Sequence, residues 1–417
     1  MKGWKTSQLG DIAAISYGYT AKASVENVGP KFLRITDIQD DLVNWSDVPY
    51  CPIDEADLKK YKLIDQDIVF ARTGATTGKS YLVCSPPESI AASYLIRLRV
   101  QDPNVSAKFI SKYFQTRDYW DGVSSGISGS AQGGFNASKL SALVVPIPPP
   151  SEQKRIVSIV DQAFEGIDGA IANTKKNLAN VREVFESYLN AIFTQKDNGW
   201  EEVKLETLSK LITKGSSPKW QGMNYVDEPG VLFVTSENVG ENRMLFEKTK
   251  YVEEAFNEKD SKSILSFGDV LTNIVGASIG RTAIYDREEL ANINQAVCLI
   301  RCKPNHLLNR YLSYLLNSPY FRQILHDNEI NNARANLSLT FFRELQIPLP
   351  SLDEQQSIVF KIDELHTETQ RLEVIYRRKL AALTELKQSI LRKAFTGELT
   401  ADTANQVTKK AEEAIAA

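Results

Sequence analysis

Histidine and cysteine are scarce in this chain of 417 residues, with three of the first and four of the second. His306, His326 and His366 leave little material for histidine-based acid–base chemistry. The cysteines (Cys51, Cys84, Cys298, Cys302) form no CxxC pair. Cys298 and Cys302 fall in the strand-like run AVCLIRCK, which sets them about 13 Å apart, too far to share one tetrahedral zinc. They read as buried thiols of a reducing compartment. No apolar run reaches the roughly 18 residues of a membrane span. The opening MKGWKTSQLG has no apolar stretch behind its lysines, so the expectation is a cytoplasmic protein without membrane contact. Excess charge is also missing: 49 Lys and Arg against 52 Asp and Glu give −3. A nucleic-acid surface would have to come from local grouping of basic residues. HExxH and paired metal-binding carboxylates are absent, and the chain gives no sign of being a catalyst.

What remains is an ordinary globular composition, 42% hydrophobic and 24% charged, long enough for two or three domains. Its main feature is an internal repeat. VVPIPPPSEQKRIV (144–157) matches LQIPLPSLDEQQSIV (345–359), with Pro146 on Pro348 at an offset of 202. DQDIVFARTGATTGKSYLV (65–83) matches FGDVLTNIVGASIGRTAIY (267–285) at the same offset, pairing Asp67 with Asp269, Gly74 with Gly276, Gly78 with Gly280 and Lys79 with Arg281. SYLIRLR (93–99) meets QAVCLIR (295–301), GWKTSQLGDI (3–12) faces GWEEVKLETL (199–208), and LRIT (33–36) faces LFVT (232–235). The chain is two copies of one unit.

Each copy begins with short β-rich runs separated by Gly, Pro, Asn and Ser clusters, with amphipathic helices such as 108–120 and 310–325 between them. This is an α+β domain. A proline-rich stretch follows, then a long helical pattern. Pro interrupts the preceding strand ladder, Ser151 and Asp353 are placed to cap the helix, and Glu152 and Glu354 put carboxylates near its N-terminus. Apolar residues then recur at spacings of three and four, from Ile156 to Ile192 and from Ile358 to Ile390. Each helix of 40 to 45 residues spans about 60–68 Å. Uncapped helices this long want a partner, and antiparallel pairing with its own copy is the simplest. The expected layout is a globular domain at 1–150, a helix at 151–197, a second domain at 198–352, a second helix at 353–399 and a flexible tail at 400–417.

Two motifs invite catalytic readings that the residues do not sustain. ARTGATTGKS is one residue short of a nucleotide-binding loop, and it leads into a strand pattern where phosphate would need a helix N-terminus. NSPY (317–320) has Ser318 where the amino-methyltransferase tetrad has proline, and no glycine-rich cofactor loop precedes it.

The duplicated α+β domain, each copy ending in Pro146-Ile147-Pro148 through Glu152-Gln153 or Pro348-Leu349-Pro350 through Glu354-Gln355 and a long helix, resembles the specificity subunits of type I restriction-modification enzymes. The glycine loops at 74–79 and 276–281, the segments 128–143 and 331–345, and the helix ending LKQSILRKAFTGEL (386–399) add to the likeness. The resemblance implies two target recognition domains, each reading one part of a split DNA site, on helices pairing as an antiparallel coiled coil. It implies no cofactor on this chain. Two modification subunits would supply S-adenosylmethionine chemistry on adenine, and restriction subunits would supply ATP- and Mg-dependent cleavage. Helix length would set the gap between the half-sites. A coiled-coil interaction scaffold without sequence-specific DNA binding is the alternative.

Base reading is expected of polar side chains on loops, with Arg and Lys suited to guanine and Asn and Gln to adenine. The candidates are Arg34, Arg72, Thr73, Lys79, Ser93, Tyr94 and Gln132 in the first domain. In the second they are Lys214, Lys219, Ser236, Asn238, Asn273, Arg281, Asn292, Gln295 and Arg334. Lys79 and Arg281 stand out because both copies keep a cation after the glycine.

Overall fold

Short apolar runs bounded by Gly, Pro and Asp become strands, and the duplicated runs become the same strands. In one unit Ala13–Tyr17, Leu95–Val100, Ile68–Ala71 and Ser80–Leu82 form an antiparallel sheet in that order. In the other, Ser209–Lys214, Val297–Cys302, Val270–Asn273 and Thr282–Ile284 repeat the order and sense. Register repeats too: Val69 lies opposite Arg97, and Leu271 opposite Leu299. Ile68–Ala71 and Val270–Asn273 are buried at every position, the pattern of a strand covered on both faces. Beside each sheet runs a parallel pair, Lys31–Leu33 with Ser89–Ala91 and Val231–Val234 with Ala291–Ile293.

This computed structural model describes residues 3–39, 42–127, 134–194, 199–227, 230–331 and 335–400. The expected flexible tail lies outside them from residue 401 on, and so do Gln132 and Arg334. The chain divides into two units. One takes the residues up to Lys175 together with those from Arg378 onward; the other is the continuous stretch Lys176–Arg377. The division falls inside the long helices, Pro150–Thr194 and Leu352–Phe395, because each helix contributes one half to each core.

In the first unit Ile156, Val160 and Ile167 of the first long helix and Leu383, Ile390 and Phe395 of the second join Phe70, Leu98, Phe109 and Tyr119 in one core. There Glu152 accepts from Thr400 Oγ1 at 2.8 Å and Asp168 pairs with Lys387 at 2.7 Å, so the helices run antiparallel. In the second unit Leu189 and Phe193 meet Val359 and Ile362 around Tyr311, Leu315 and Phe342. Arg182 pairs with Glu373 at 2.9 Å and Phe185 lies 5.1 Å from the His366 ring, again antiparallel. The helix ends are equivalent: Phe395 packs on Phe109 at 4.9 Å, and Phe193 on Tyr311 at 5.6 Å.

The junction between head and helix corrects two sequence expectations. Pro146 and Pro348 do not end a ladder. They lie in short two-stranded pairs, opposite Thr6 and Glu202, where an edge tolerates the missing N–H. The helix caps are displaced as well. The first helix begins at Pro150 itself, whose missing donor is harmless there. Ser351, not Asp353, precedes the second, in a reciprocal box with Glu354: Ser351 N–H donates to Glu354 at 2.9 Å, and Glu354 N–H to Ser351 Oγ at 3.3 Å. The serine's donors hold the Glu354 carboxyl below its ordinary value.

The glutamine after each glutamate is the stronger tie. Gln153 is 1% exposed; its Oε1 accepts from Ser106 N–H at 2.8 Å and its Nε2 donates to the Asn104 and Pro148 carbonyls at 2.9 and 2.8 Å. Gln355, fully buried, repeats this with Leu308 N–H, His306 O and Pro350 O, each at 2.9 Å. A second matched tie is an ion pair. The Asp67 and Asp269 carboxylates, almost wholly buried, accept two hydrogen bonds each from Arg99 and Arg301 at 2.7 Å.

Candidate nucleic-acid interface

At one end of each four-stranded sheet the chain makes several turns close together, and backbone hydrogen bonds set their geometry. In the first unit Arg72 N–H donates to Tyr94 O at 3.2 Å, and Arg72 O accepts from Phe135 N–H at 3.0 Å. The second unit makes the same bonds 202 residues later, Ile274 N–H to Ala296 O and Leu337 N–H to Ile274 O, both at 2.9 Å. Strand ends converge here. Ala92 N–H donates to Leu33 O, and Asn294 N–H to Val234 O. Gly18 and Gly215 run so close to the neighbouring backbone that a Cβ would lie 2.2 Å from Ala92 O and 1.7 Å from Ile293 O. Only glycine fits at either.

On this frame the first unit gathers Arg72, Thr73, Ser93 and Tyr94, with Arg34 leaving the adjacent strand. Tyr94 is 61% exposed. The Arg72 guanidinium lies over the Tyr17 ring, 4.9 Å from its centroid, and the Tyr17 hydroxyl accepts from Ala137 N–H at 3.2 Å. Arg34 is tied to Asp37 through Nη2 at 2.6 Å and Nε at 3.1 Å, and the Asp37 carboxylate raises its pKa. The second unit places Lys214, exposed, at the end of its first strand, with half-buried Ser236 and Gln295 on the neighbouring turns. Exposed Lys219 sits in the turn Pro218–Gln221 beside Trp220, which is 75% exposed.

The glycine loops are tight hairpins. Gly78 and Gly280 adopt φ of +97° and +85°, the left-handed region that favours glycine. Each loop joins antiparallel strands through a single 3-10 turn, Gly74–Thr76 or Gly276–Ser278, and leads into a strand and not an α-helix, as the sequence indicates. Lys79 and Arg281 follow the glycines, are exposed, and pair with no carboxylate among the described residues. The Gly78 carbonyl accepts from the buried Tyr119 hydroxyl at 2.6 Å, which fixes the first loop on its own core.

Three candidates are corrected. Asn238, Asn273 and Asn292 are at most 3% exposed and serve the fold. Asn238 Nδ2 donates to the Leu245 and Lys248 carbonyls, both at 2.9 Å, while its Oδ1 accepts from Thr235 N–H, the position where Asp37 serves Arg34 N–H. Asn273 Nδ2 donates to Ser236 O at 2.9 Å. Asn292 Nδ2 donates to Asn257 Oδ1 at 2.7 Å and to Asp260 O at 3.1 Å. None presents an amide edge outward. The NSPY segment is likewise structural. Buried Asn317 donates to Asn242, Thr282 and Ser313, and Ser318 caps the helix Pro319–Asp327. Burial pushes the Cys298 thiol up to about 12, so it stays neutral in its strand.

The glutamine ties, the paired close-approach glycines and the Tyr17 platform escaped the residue-by-residue reading. Alignment of Gln153 with Gln355 and of Gly18 with Gly215 was the available signal for two of them.

Taken together, fold and site define a duplicated recognition scaffold: one frame, built twice, carrying different polar groups at its turns. Comparison with known proteins agrees. The family model described as "Type I restriction modification DNA specificity domain" matches residues 1–180 and 197–377. The EcoBI specificity subunit of Escherichia coli is 23% identical over 424 residues, covering 95% of this chain and 86% of that protein. The StySPI specificity subunit of Salmonella potsdam is 23% identical over 426 residues, covering 96% and 90%. A chain solved in a study of assembly and conformational transition of the type I R-M system superposes with a TM-score of 0.74 at 18% identity, covering 95% and 98%. The HsdS subunit from Thermoanaerobacter tengcongensis gives 0.53 at 19%, with the same coverage. These two show the shared fold. The chain belongs to the type I restriction-modification DNA specificity family, and its role is DNA sequence recognition.

Proposed function

We propose that the two units read the two parts of a split duplex target and that the parts differ in sequence. One comparison carries this reading. The same backbone bonds hold the same turns in both units, yet Tyr17, Arg72 and Tyr94 of the first correspond to Lys214, Ile274 and Ala296 of the second. A scaffold serving only protein contacts has no use for two different sets of side chains on one frame. Two different words in DNA require them, because base edges are told apart by the donors and acceptors presented to them.

In this reading the chain is non-catalytic and works in the cytoplasm. Two modification subunits dock on it and methylate adenine with S-adenosylmethionine, and restriction subunits supply ATP- and Mg-dependent cleavage. The long helices set the gap between the half-sites.

Sequencing of methylated bases in a host that carries the modification partner, with and without this chain, tests the reading. A two-part asymmetric motif that appears only with the chain is expected. Methylation indifferent to the chain would refute it. One extra turn in both long helices should lengthen the unread gap, and an unchanged gap removes the helices from that role.

A further inference from the structure

The fold explains the position of most arginines, but not that of Arg72. Arg34, Arg99, Arg182 and Arg301 each face a carboxylate at 2.6–2.9 Å. Arg72 has no ion pair, and its Nε is buried without a hydrogen-bond partner among the described residues. A donor closed to solvent is closed to a ligand as well, so this atom shows only that the fold does not engage the side chain; the terminal guanidinium nitrogens are the donors left for a partner. Nor does the frame need a cation there. At the equivalent position the second unit has Ile274, 1% exposed, held by the same two backbone bonds. The first unit therefore carries a charged, planar group where an alkyl side chain is enough to build the turn.

Arg72 is also held for presentation. Its guanidinium stacks on Tyr17, and that ring is fixed at both ends: Tyr17 pairs with Ile96 in the sheet, and its hydroxyl takes the Ala137 N–H. The next side chains on the adjoining turn are Ser93 and the exposed Tyr94. A stacked guanidinium loses rotational freedom before it meets a ligand, so its fork of donors is set in one plane. A phosphate needs only a mobile point charge, which exposed Lys79 can supply. A fixed fork suits the paired O6 and N7 acceptors of guanine.

We propose that Arg72, positioned by Tyr17, is the specificity-determining residue for a guanine in the half-site read by the first unit, and that the second unit has no counterpart to it. This deepens the split-target reading and rests on it.

The test is selection from a random duplex library by the full chain with its modification partner, comparing the natural protein with Arg72→Ile, Arg72→Lys and Tyr17→Leu. Arg72→Ile installs the side chain that the second unit already accepts at this place, so folding is expected to survive, and a thermal melt checks it. The expected result is loss of preference at a single G·C position of one half-site, with every other position unchanged. Affinity for the original target should fall roughly 5- to 150-fold, the range for one bidentate base contact. Arg72→Lys should restore charge without restoring discrimination, and Tyr17→Leu should weaken preference at that same position alone. The proposal is overturned if Arg72→Ile selects the natural motif unchanged. It is equally overturned if affinity drops alike for all sequences with a shallower salt dependence, which marks a phosphate contact. Failure of the natural protein itself to select any motif would instead refute the split-target reading.

Discussion

Replacing Gln355 by glutamate changes one amide nitrogen to oxygen at a fully buried position. The natural side chain accepts once and donates twice. Glutamate keeps the acceptor facing Leu308 N–H but turns its second oxygen toward the His306 and Pro350 carbonyls. Before any ionisation the protonated carboxyl keeps one O–H donor for one of these carbonyls, so one hydrogen bond of about 1 kcal/mol net is lost and one buried carbonyl loses its donor, a cost of about 1–3 kcal/mol. Ionisation adds a pH dependence that glutamine lacks. Burial against two carbonyl oxygens raises the folded-state pKa above the unfolded value of about 4.3. The variant is then penalised least below pH of about 4.3. Its penalty grows by about 1.4 kcal/mol per pH unit above that, up to the folded pKa. Hydrogen exchange in the helix Asn309–Asn317 and the first turns of the second long helix, compared at pH 5 and pH 7, reads both effects locally. Gln153→Glu should act the same way on the first unit. A stability difference between the natural chain and Gln355→Glu that stays flat from pH 5 to pH 7 would refute the assignment of the amide as a buried, fully engaged tie.

Gly215→Ala forces a Cβ to within 1.7 Å of Ile293 O and should cost at least about 1–3 kcal/mol, seen as a lower melting temperature. Gly169→Ala, in open helical surroundings, should gain about 0.5–1 kcal/mol and serves as its control. His366 sits against Phe185, and burial lowers its pKa despite the opposing charge of Asp363, with Arg310 and Arg243 adding to the lowering. A depressed histidine pKa favours the folded state above about pH 6.5 and loses that advantage as pH falls. Melting of the second unit should therefore weaken toward pH 5, and His366→Leu should flatten that slope. Lys79→Ala and Arg281→Ala should each reduce the log–log salt dependence of DNA binding by about 0.9 if each cation meets one phosphate, and an unchanged slope would remove that residue from the interface.

The duplication is legible because both copies keep the residues that fix the frame. Asp67 and Asp269 anchor matched arginines, and Gly78 and Gly280 turn matched hairpins. The long helices are legible because their apolar spacing runs on for more than thirty residues, from Ile156 to Ile192 and from Ile358 to Ile390. Roles that depend on distant partners were not. A glutamine in the first turn of a helix looks like a polar surface residue until Ser106, or Leu308, arrives from 47 positions away. Asn238, Asn273 and Asn292 have the chemistry to read adenine, but short strands do not reveal which polar side chains turn inward. The same limit hid Tyr17, whose value lies in a guanidinium 55 positions along the chain.

The nesting of one unit within the other bears on how the protein is made. Residues 383–399 complete a core whose other members begin at Leu9. The part that leaves the ribosome first is thus the last to be finished. Until Phe395 emerges, Phe109 and Tyr113 of the nascent chain lack the ring that covers them at 4.9 and 5.4 Å. The intervening stretch, folding on its own, replaces a long floppy loop with a folded body, and joining distant ends costs only about 0.6 kcal/mol more for each doubling of loop length. A stalled or shortened translation product would carry a sound inner unit and an outer one with its apolar face open to chaperones and proteases.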